Sequence, residues 1–213
     1  MNFCNNVRYL GVYIDQHIDW NCHTSFLSSK LRKANGALSK LRHFVPKSLL
    51  KTVYYALFSS HMNYGAQLWG YSTNCDRIYK LQKTAIRIIT FSDFFSPSKP
   101  LFCDLRILPL PDLIKYLNVK LIFDTLNLIS PADICHTIKP TYQKSVHLTR
   151  ISNLNLLLKP SVKTSIYGIK SIRYQSCNDW NSLQLHFKYY NLAEISVYKL
   201  NRLCKTFLFN NPG

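Results

Sequence analysis

From Ser25 to Val45 the apolar residues Leu27, Leu31, Ala34, Leu38, Leu41 and Val45 alternate at spacings of four and three. That period predicts a helix with one face turned to a core. Gly36 interrupts its middle, at a cost of up to about 1 kcal/mol relative to Ala. Pro46 ends it and suits the first turn of a second helix, which is expected to reach Tyr64. Leu50, Val53, Leu57, His61 and Tyr64 form the expected stripe there, with Leu49, Tyr54 and Phe58 widening it. So broad an apolar surface predicts burial on two sides, at the centre of a bundle. Gly65 and Gly70 then bracket AQLW. A third helix is expected from the capping residues Ser72, Thr73 and Asn74 to Phe91, with Ile78, Leu81, Ala85, Ile88 and Ile89 inward. The prolines of SDFFSPSKP, Ser92 to Pro100, break the period. Leu113, Leu117, Leu121, Thr125 and Leu128 mark a fourth helix that ends before Pro131.

Two regions lack this period. Val7 to Trp20, VRYLGVYIDQHIDW, carries the β-branched and aromatic residues of a strand, a turn and a return. Gly11 stands where a bulge or a close approach would sit. The opening strand has no partner before it, the pattern expected of a segment cut from something larger. From Ser130 to Ile166, prolines and Ser, Thr and Asn dominate. SVHLTR, NLLLK and YGIKSIRY are candidate short strands around that tract. Asn178 to Leu183 reads as a turn into one helical turn anchored by Trp180. A last helix, Glu194 to Phe209, puts Val197, Leu200, Cys204 and Phe207 on one face. The fold class expected is mainly α: a basic helical bundle with a short N-terminal β-hairpin and a small α+β tail. The expected divisions are residues 1–20, 21–130 and 131–213, with the boundary between the last two near Ser130 to Pro140.

Charge changes the picture. The 213 residues hold 27 Lys and Arg against 10 Asp and Glu, a net charge of +17. Such a balance predicts attraction to polyanions, nucleic acid first and an acidic membrane surface second. No acid lies between Asp19 and Asp76, while Lys30, Arg32, Lys33, Lys40, Arg42, Lys47 and Lys51 fall in that interval. Cations without local carboxylates are what a phosphate-backbone surface needs; a solvated helix face is the plainer reading. Arg77, Lys80, Lys83 and Arg87 recur along the third helix.

Seven cysteines are scattered without a C-x-x-C pair, which fits free thiols in a reducing compartment. No secretory signal is visible after Met1, and no apolar run is long enough to span a bilayer. An intracellular location, cytoplasmic or nuclear, is the expectation, with no membrane partner.

Catalytic chemistry finds little support. There is no glycine-rich phosphate loop and no nucleophile elbow. Asp15 and Asp19 could pair on Mg²⁺, or Asp19 could cap the following helix with Asp15 in the turn; the cap preference of Asp favours the second. The adjacent pairs Cys22-His23 and Cys135-His136 lack zinc-ligand spacing. His61 on its stripe reads as a core histidine. Tyr54, Tyr55, Tyr64, Trp69 and Tyr71 could stack on bases, but helical spacing favours packing. No catalytic residue, metal or cofactor is assigned.

VRYLGVYID with W-x-x-H at Trp20 to His23, then KLRKANGALSKLR, resembles the region after the palm in reverse transcriptases of non-LTR retrotransposons of the jockey and CR1 type. YYALFSSHMNYGAQLWG (Tyr54 to Gly70), LQKTAIRIIT (Leu81 to Thr90) and YGIKSIRYQ with WNSL (Tyr167 to Leu183) resemble the blocks that follow, in the same order. The resemblance implies that Tyr9, Leu10 and Gly11 are similar to a primer-grip hairpin. It implies that the basic helices look like a thumb holding RNA or an RNA/DNA duplex by its backbone, without sequence readout. The backbone contacts expected are Lys30, Arg32, Lys33, Lys40, Arg42, Lys47 and Lys51, with Arg77, Lys80 and Arg87 as a second stripe. The family's polymerase holds two metal ions on an aromatic-Ala-Asp-Asp motif, which this sequence lacks. The expectation is therefore a C-terminal part of an RNA-directed DNA polymerase, inactive alone and resting on a palm and fingers it does not contain. The other expectation is a helical interaction module that docks on a missing partner domain.

Overall fold

The computed structural model describes residues 6–138, 156–188 and 190–210. The chain divides into two compact units at Pro111 and Asp112, ahead of the Ser130 to Pro140 boundary expected. The expected strand SVHLTR lies outside the described residues.

The first unit opens on an antiparallel hairpin, β1 (Asn6–Tyr9) and β2 (Val12–Asp15), with Val7 opposite Ile14 and Tyr9 opposite Val12. Leu10 and Gly11 join them with φ of +44° and +85°. Positive φ at both central residues is the requirement of a type I′ turn, so Gly11 serves the turn rather than a bulge. β1 is exposed throughout, while Val12 of β2 is buried against Gly65.

Helix α1, Asn21–Leu41, buries His23, Thr24, Leu27, Ser28, Leu31, Ala34, Asn35 and Leu38, with Leu41 and Val45 half-buried. The N-cap is Trp20, at φ +64° and without a side-chain cap bond, not the expected Asp19; Asp19, one residue earlier, accepts the Asn21 N–H at 3.0 Å. Asp15 accepts the N–H groups of Asp19 and Trp20 at 2.8 and 3.3 Å. Burial raises the Asp15 pKa, but hydrogen bonds from Asp19, Trp20 and Cys22 outweigh it and hold the carboxyl below its ordinary range.

Helix α2 begins as Lys47–Val53, continues through a π-helical stretch, Tyr54–Ser59, and ends as Ser60–Asn63. Its buried apolar residues are Leu50, Tyr54, Phe58 and Met62, each four after the last, and Ser59 is buried beside them. A π turn closes i→i+5 bonds and takes more residues per turn than an α-helix, which keeps residues four apart in line. The expected stripe therefore rotates outward. Val53 is half-buried, and Leu57, His61 and Tyr64 are exposed. His61 is not a core histidine, and with Leu49 and Tyr55 also exposed the helix is buried on one side only.

Gly65, at φ +62°, ends α2 and leads into α3, Ala66–Trp69. Trp69 is fully buried and donates its indole N–H to the Tyr64 carbonyl at 3.1 Å. Helix α4, Cys75–Ile89, packs against α1 and buries Ile78, Gln82, Ala85, Ile86 and Ile89. Gln82 takes the inward place between Ile78 and Ala85, and Leu81 and Ile88 are half-buried. Its Nε2 donates to Tyr54 Oη and the Leu108 carbonyl at 3.1 and 3.0 Å, and its Oε1 accepts the Leu110 N–H at 2.8 Å. Helix α5, Ser98–Leu105, follows.

The described part of the second unit is helical. Helix α6 (Leu110–Leu126) starts at the boundary; α7 (Ala132–Ile138), α8 (Ile172–His186) and α9 (Val197–Asn210) follow. On α6 the buried set is Leu110, Asp112, Ile114, Asn118, Val119, Ile122, Phe123 and Thr125; Ile114, Asn118 and Ile122 stand one position on from the expected leucines, Thr125 is buried as expected, and Leu128 is exposed. YGIKSIRY is not a strand: it falls in a π-helical turn, Ser165–Ile169, and the start of α8, capped by Ser171. Of NLLLK, the described residues form only a bridge position at Leu157. Trp180 lies within α8, not in a turn, and is buried. Beside it Asn181 exchanges two 2.8 Å hydrogen bonds with the backbone of Leu157, doing the work of a strand neighbour. α9 begins at Val197, with Ser196 Oγ accepting the Lys199 N–H, and buries Leu200, Cys204 and Leu208; Val197 is exposed.

Candidate nucleic-acid interface

Helix α1 separates its apolar and cationic residues around its axis. Lys33 and Lys40 each sit two residues past a buried leucine, roughly 200° around the helix. Both are exposed, as is Arg32. Lys30 lies nearer the buried side, half-buried, with Nζ 4.8 Å from the centre of the Phe26 ring. No ion pair within the described residues engages any of these four.

The other expected contacts divide. Arg77 and Lys80 are exposed on α4. Arg87 is half-buried and committed: Nε donates to the Ser96 carbonyl at 2.9 Å and its guanidinium stands 5.9 Å from the Phe94 ring centre. Arg42 lies 5.1 Å over Phe91. Lys47 has a carboxylate partner after all, Asp104, at 2.6 Å, although its own stretch of chain carries none. Exposed pairs of this kind are worth about 0–1 kcal/mol, but they still neutralise the charge a phosphate would meet. Lys51 is half-buried one turn further along α2.

α1 and α4 run side by side in one direction. The side chains of Asn21 and Asn74 are hydrogen-bonded near the first residues of each, Asn35 donates to the Leu81 carbonyl midway, and Arg42 meets Phe91 at the far end. The α1 cations of the first expected stripe and the α4 stripe therefore lie on helices that run in the same direction, while Lys47 and Lys51 lie apart on α2.

Leu10, Gly11 and Lys30 come together in a cleft of about 290 Å³ that Arg8, His23, Phe26, His61 and Tyr64 also line. Tyr9 is exposed and does not line it. Tyr64 Oη donates to the Leu10 carbonyl at 2.5 Å and ties the hairpin turn to α2. Arg8 lies 5.7 Å from the Tyr13 ring centre and 6.0 Å from that of Phe26. Burial lowers the His23 pKa; its Nδ1 accepts the Tyr13 N–H at 3.5 Å and its Nε2 has no partner among the described residues. No carboxylate lines this cleft. Sequence reasoning missed Arg8 and His61 here. Arg8 was readable from the strand alternation beside Tyr9, whereas His61 needed the π register.

Among the described residues no three of His, Cys, Asp and Glu lie close enough to hold a metal ion. Cys75 and Cys204 have thiol pKa values pushed up to about 12, chiefly by burial, so neither is a ready nucleophile. No helix among the described residues is long and apolar enough to cross a membrane.

The chain is similar to a probable RNA-directed DNA polymerase from transposon X-element of Drosophila melanogaster. The two are 28% identical over 110 residues, which cover 48% of this chain and 12% of that protein. That similarity supports a relation to reverse transcriptases of transposons. No protein-family model and no solved structure matches the chain.

Proposed function

We propose that the first unit holds RNA or an RNA/DNA duplex by its phosphates, without reading sequence, as the primer-grip and thumb part of a non-LTR retrotransposon reverse transcriptase. The observation that carries this reading is the unneutralised cationic side of α1, Arg32, Lys33 and Lys40, beside a cleft with Arg8 and Lys30 and no carboxylate. Phosphate contacts from such a surface fix register and orientation along a helix. Leu10 and Gly11 take the primer-grip place through the cleft, and Tyr9 is the exposed residue before them. The 213 residues contain no aromatic-Ala-Asp-Asp motif, so alone they do not extend a primer; a palm and fingers supply the metal-binding aspartates. In this reading the hairpin, the helices to residue 130 and the tail from 131 are successive parts of the C-terminal region, working in the cytoplasm or nucleus away from membranes.

A salt series tests it. Log affinity for a duplex should fall linearly with log salt, and Lys33→Gln with Lys40→Gln should flatten the slope by about one per charge removed, equally on unrelated sequences. A flat slope in the wild type, or no binding at low salt, sinks the proposal. A flat slope would instead favour a helical module docking on a partner domain, for which the exposed Leu49, Tyr55, Leu57 and Leu68 speak.

A further inference from the structure

The C-terminal ends of α1 and α4 share a rim, because the two helices are parallel neighbours whose last residues meet through Arg42 and Phe91. On the segments that leave those ends, four phenylalanines stand in solvent. Phe44 is 84% exposed, Phe91 48%, Phe94 69% and Phe95 91%. A phenyl ring has no polar atom to reward exposure, so four within two short segments call for a partner.

The loop presenting three of these rings is built, not loose. Phe91 takes φ +55° directly after α4, a conformation helices usually give to glycine. The Ser92 N–H returns to the Arg87 carbonyl at 3.0 Å, and the hydroxyls of Thr90 and Ser92 are 2.8 Å apart. The Ser96 N–H closes a turn on the Asp93 carbonyl, and Arg87 Nε holds the Ser96 carbonyl. Phe94 and Phe95 are thereby fixed edge to face, 5.3 Å between centroids at 90°. Two guanidiniums, Arg42 and Arg87, lie against Phe91 and Phe94, and Asp93 is the loop's one carboxylate.

We propose that this rim is a stacking platform for unpaired nucleotides, with bases on Phe94 and Phe95 and a backbone phosphate beside Arg42, while Arg87 holds the loop that presents the rings. Aromatic faces accept any base, and flanking cations complement the backbone, the combination that single-strand binding uses. This rests on the reading that the unit binds nucleic acid, and adds to it that a duplex carrying an unpaired extension is the preferred form.

Fluorescence anisotropy with three probes tests it: a blunt RNA/DNA duplex, the same duplex with a short unpaired extension, and the single strand alone. The wild type should bind the extended duplex on the order of tenfold more tightly than the blunt one. Phe94→Ala with Phe95→Ala should abolish that difference and leave blunt-duplex affinity and the thermal midpoint unchanged. Phe95→Ala alone, at the most exposed ring, should abolish part of it and covers a failure of the double variant to fold. Equal wild-type affinity for both duplexes, or equal weakening on both in the variant, overturns the platform. If no duplex binds, the duplex reading fails by itself. Single-strand binding that the variant loses would then uphold the platform, and its absence would overturn it. Cosedimentation with phosphatidylserine vesicles that the variant loses would replace the nucleotide with a lipid surface.

Discussion

Helices α1 and α2 adjoin in sequence and pack in the same unit, yet they treat their outer faces in opposite ways. α1 buries a continuous leucine stripe and turns Lys33 and Lys40 outward. α2 buries Leu50, Tyr54, Phe58 and Met62 and turns Leu57 and Tyr64 outward. The outer face of α1 is cationic and satisfied by water. That of α2 keeps apolar area in water, at roughly 25 cal/mol per Å². The contrast comes from the π-helical stretch, which changes which side chains share a side. An α-helix through the same residues would offer the core Leu57 in place of Phe58.

That register makes the largest prediction. Phe58→Ala should cost about 3–5 kcal/mol of unfolding free energy, the usual loss for a fully buried phenyl ring. Leu57→Ala, one residue away and exposed, should stay within about 0.5 kcal/mol. Denaturant titrations of both variants check it. Losses that are similar, or reversed, would show α2 to be regular and the contrast with α1 to be false.

A smaller effect is expected at Gln82, where α4 supports the π stretch. Its side chain satisfies Tyr54 Oη, the Leu108 carbonyl and the Leu110 N–H. Burial raises the Tyr54 pKa, so its hydroxyl stays neutral and keeps its hydrogen-bond roles. Gln82→Ala orphans these groups and should cost about 1–3 kcal/mol. Tyr54→Phe in the same background should recover part of that loss, because it removes one orphan. A double-mutant cycle with no coupling between the two positions would detach Gln82 from α2.

Much of the first unit was legible in the sequence where one period ran unbroken. α1 could be read from Leu27 to Leu38, with its cations outside, and the mainly α class with a hairpin at its start followed from the same kind of pattern. α2 misled because 3.6 residues per turn was assumed across a stretch that does not keep it. Gln82 was left out of the stripe for a different reason: a polar residue inside a helical stripe reads as outward unless its tertiary partners are known. Of the interface, the Lys33 and Lys40 side follows from spacing alone. The Lys47–Asp104 pair and the cleft around Arg8 and His61 join residues far apart in the chain, and no local pattern encodes them.

The smallest effect expected concerns the buried side of α1, where His23 faces the cleft with Arg8, Lys30 and His61. Burial holds its folded pKa below the ordinary 6.5. The unfolded chain therefore takes up this proton first as pH falls. The stability His23 contributes is fully present above pH 6.5 and is lost as pH drops through the folded value. His23→Leu, which keeps an apolar side chain against Trp69, removes that titration. Denaturant midpoints measured from pH 7.5 to 5 should fall more steeply in the wild type than in the variant, as about one extra proton bound on unfolding requires. Parallel curves would mean that His23 charges as easily folded as unfolded. The buried side of α1 would then be as open to water as its lysine face, and the division of the helix into a dry side and a cationic, solvent-facing side would not hold.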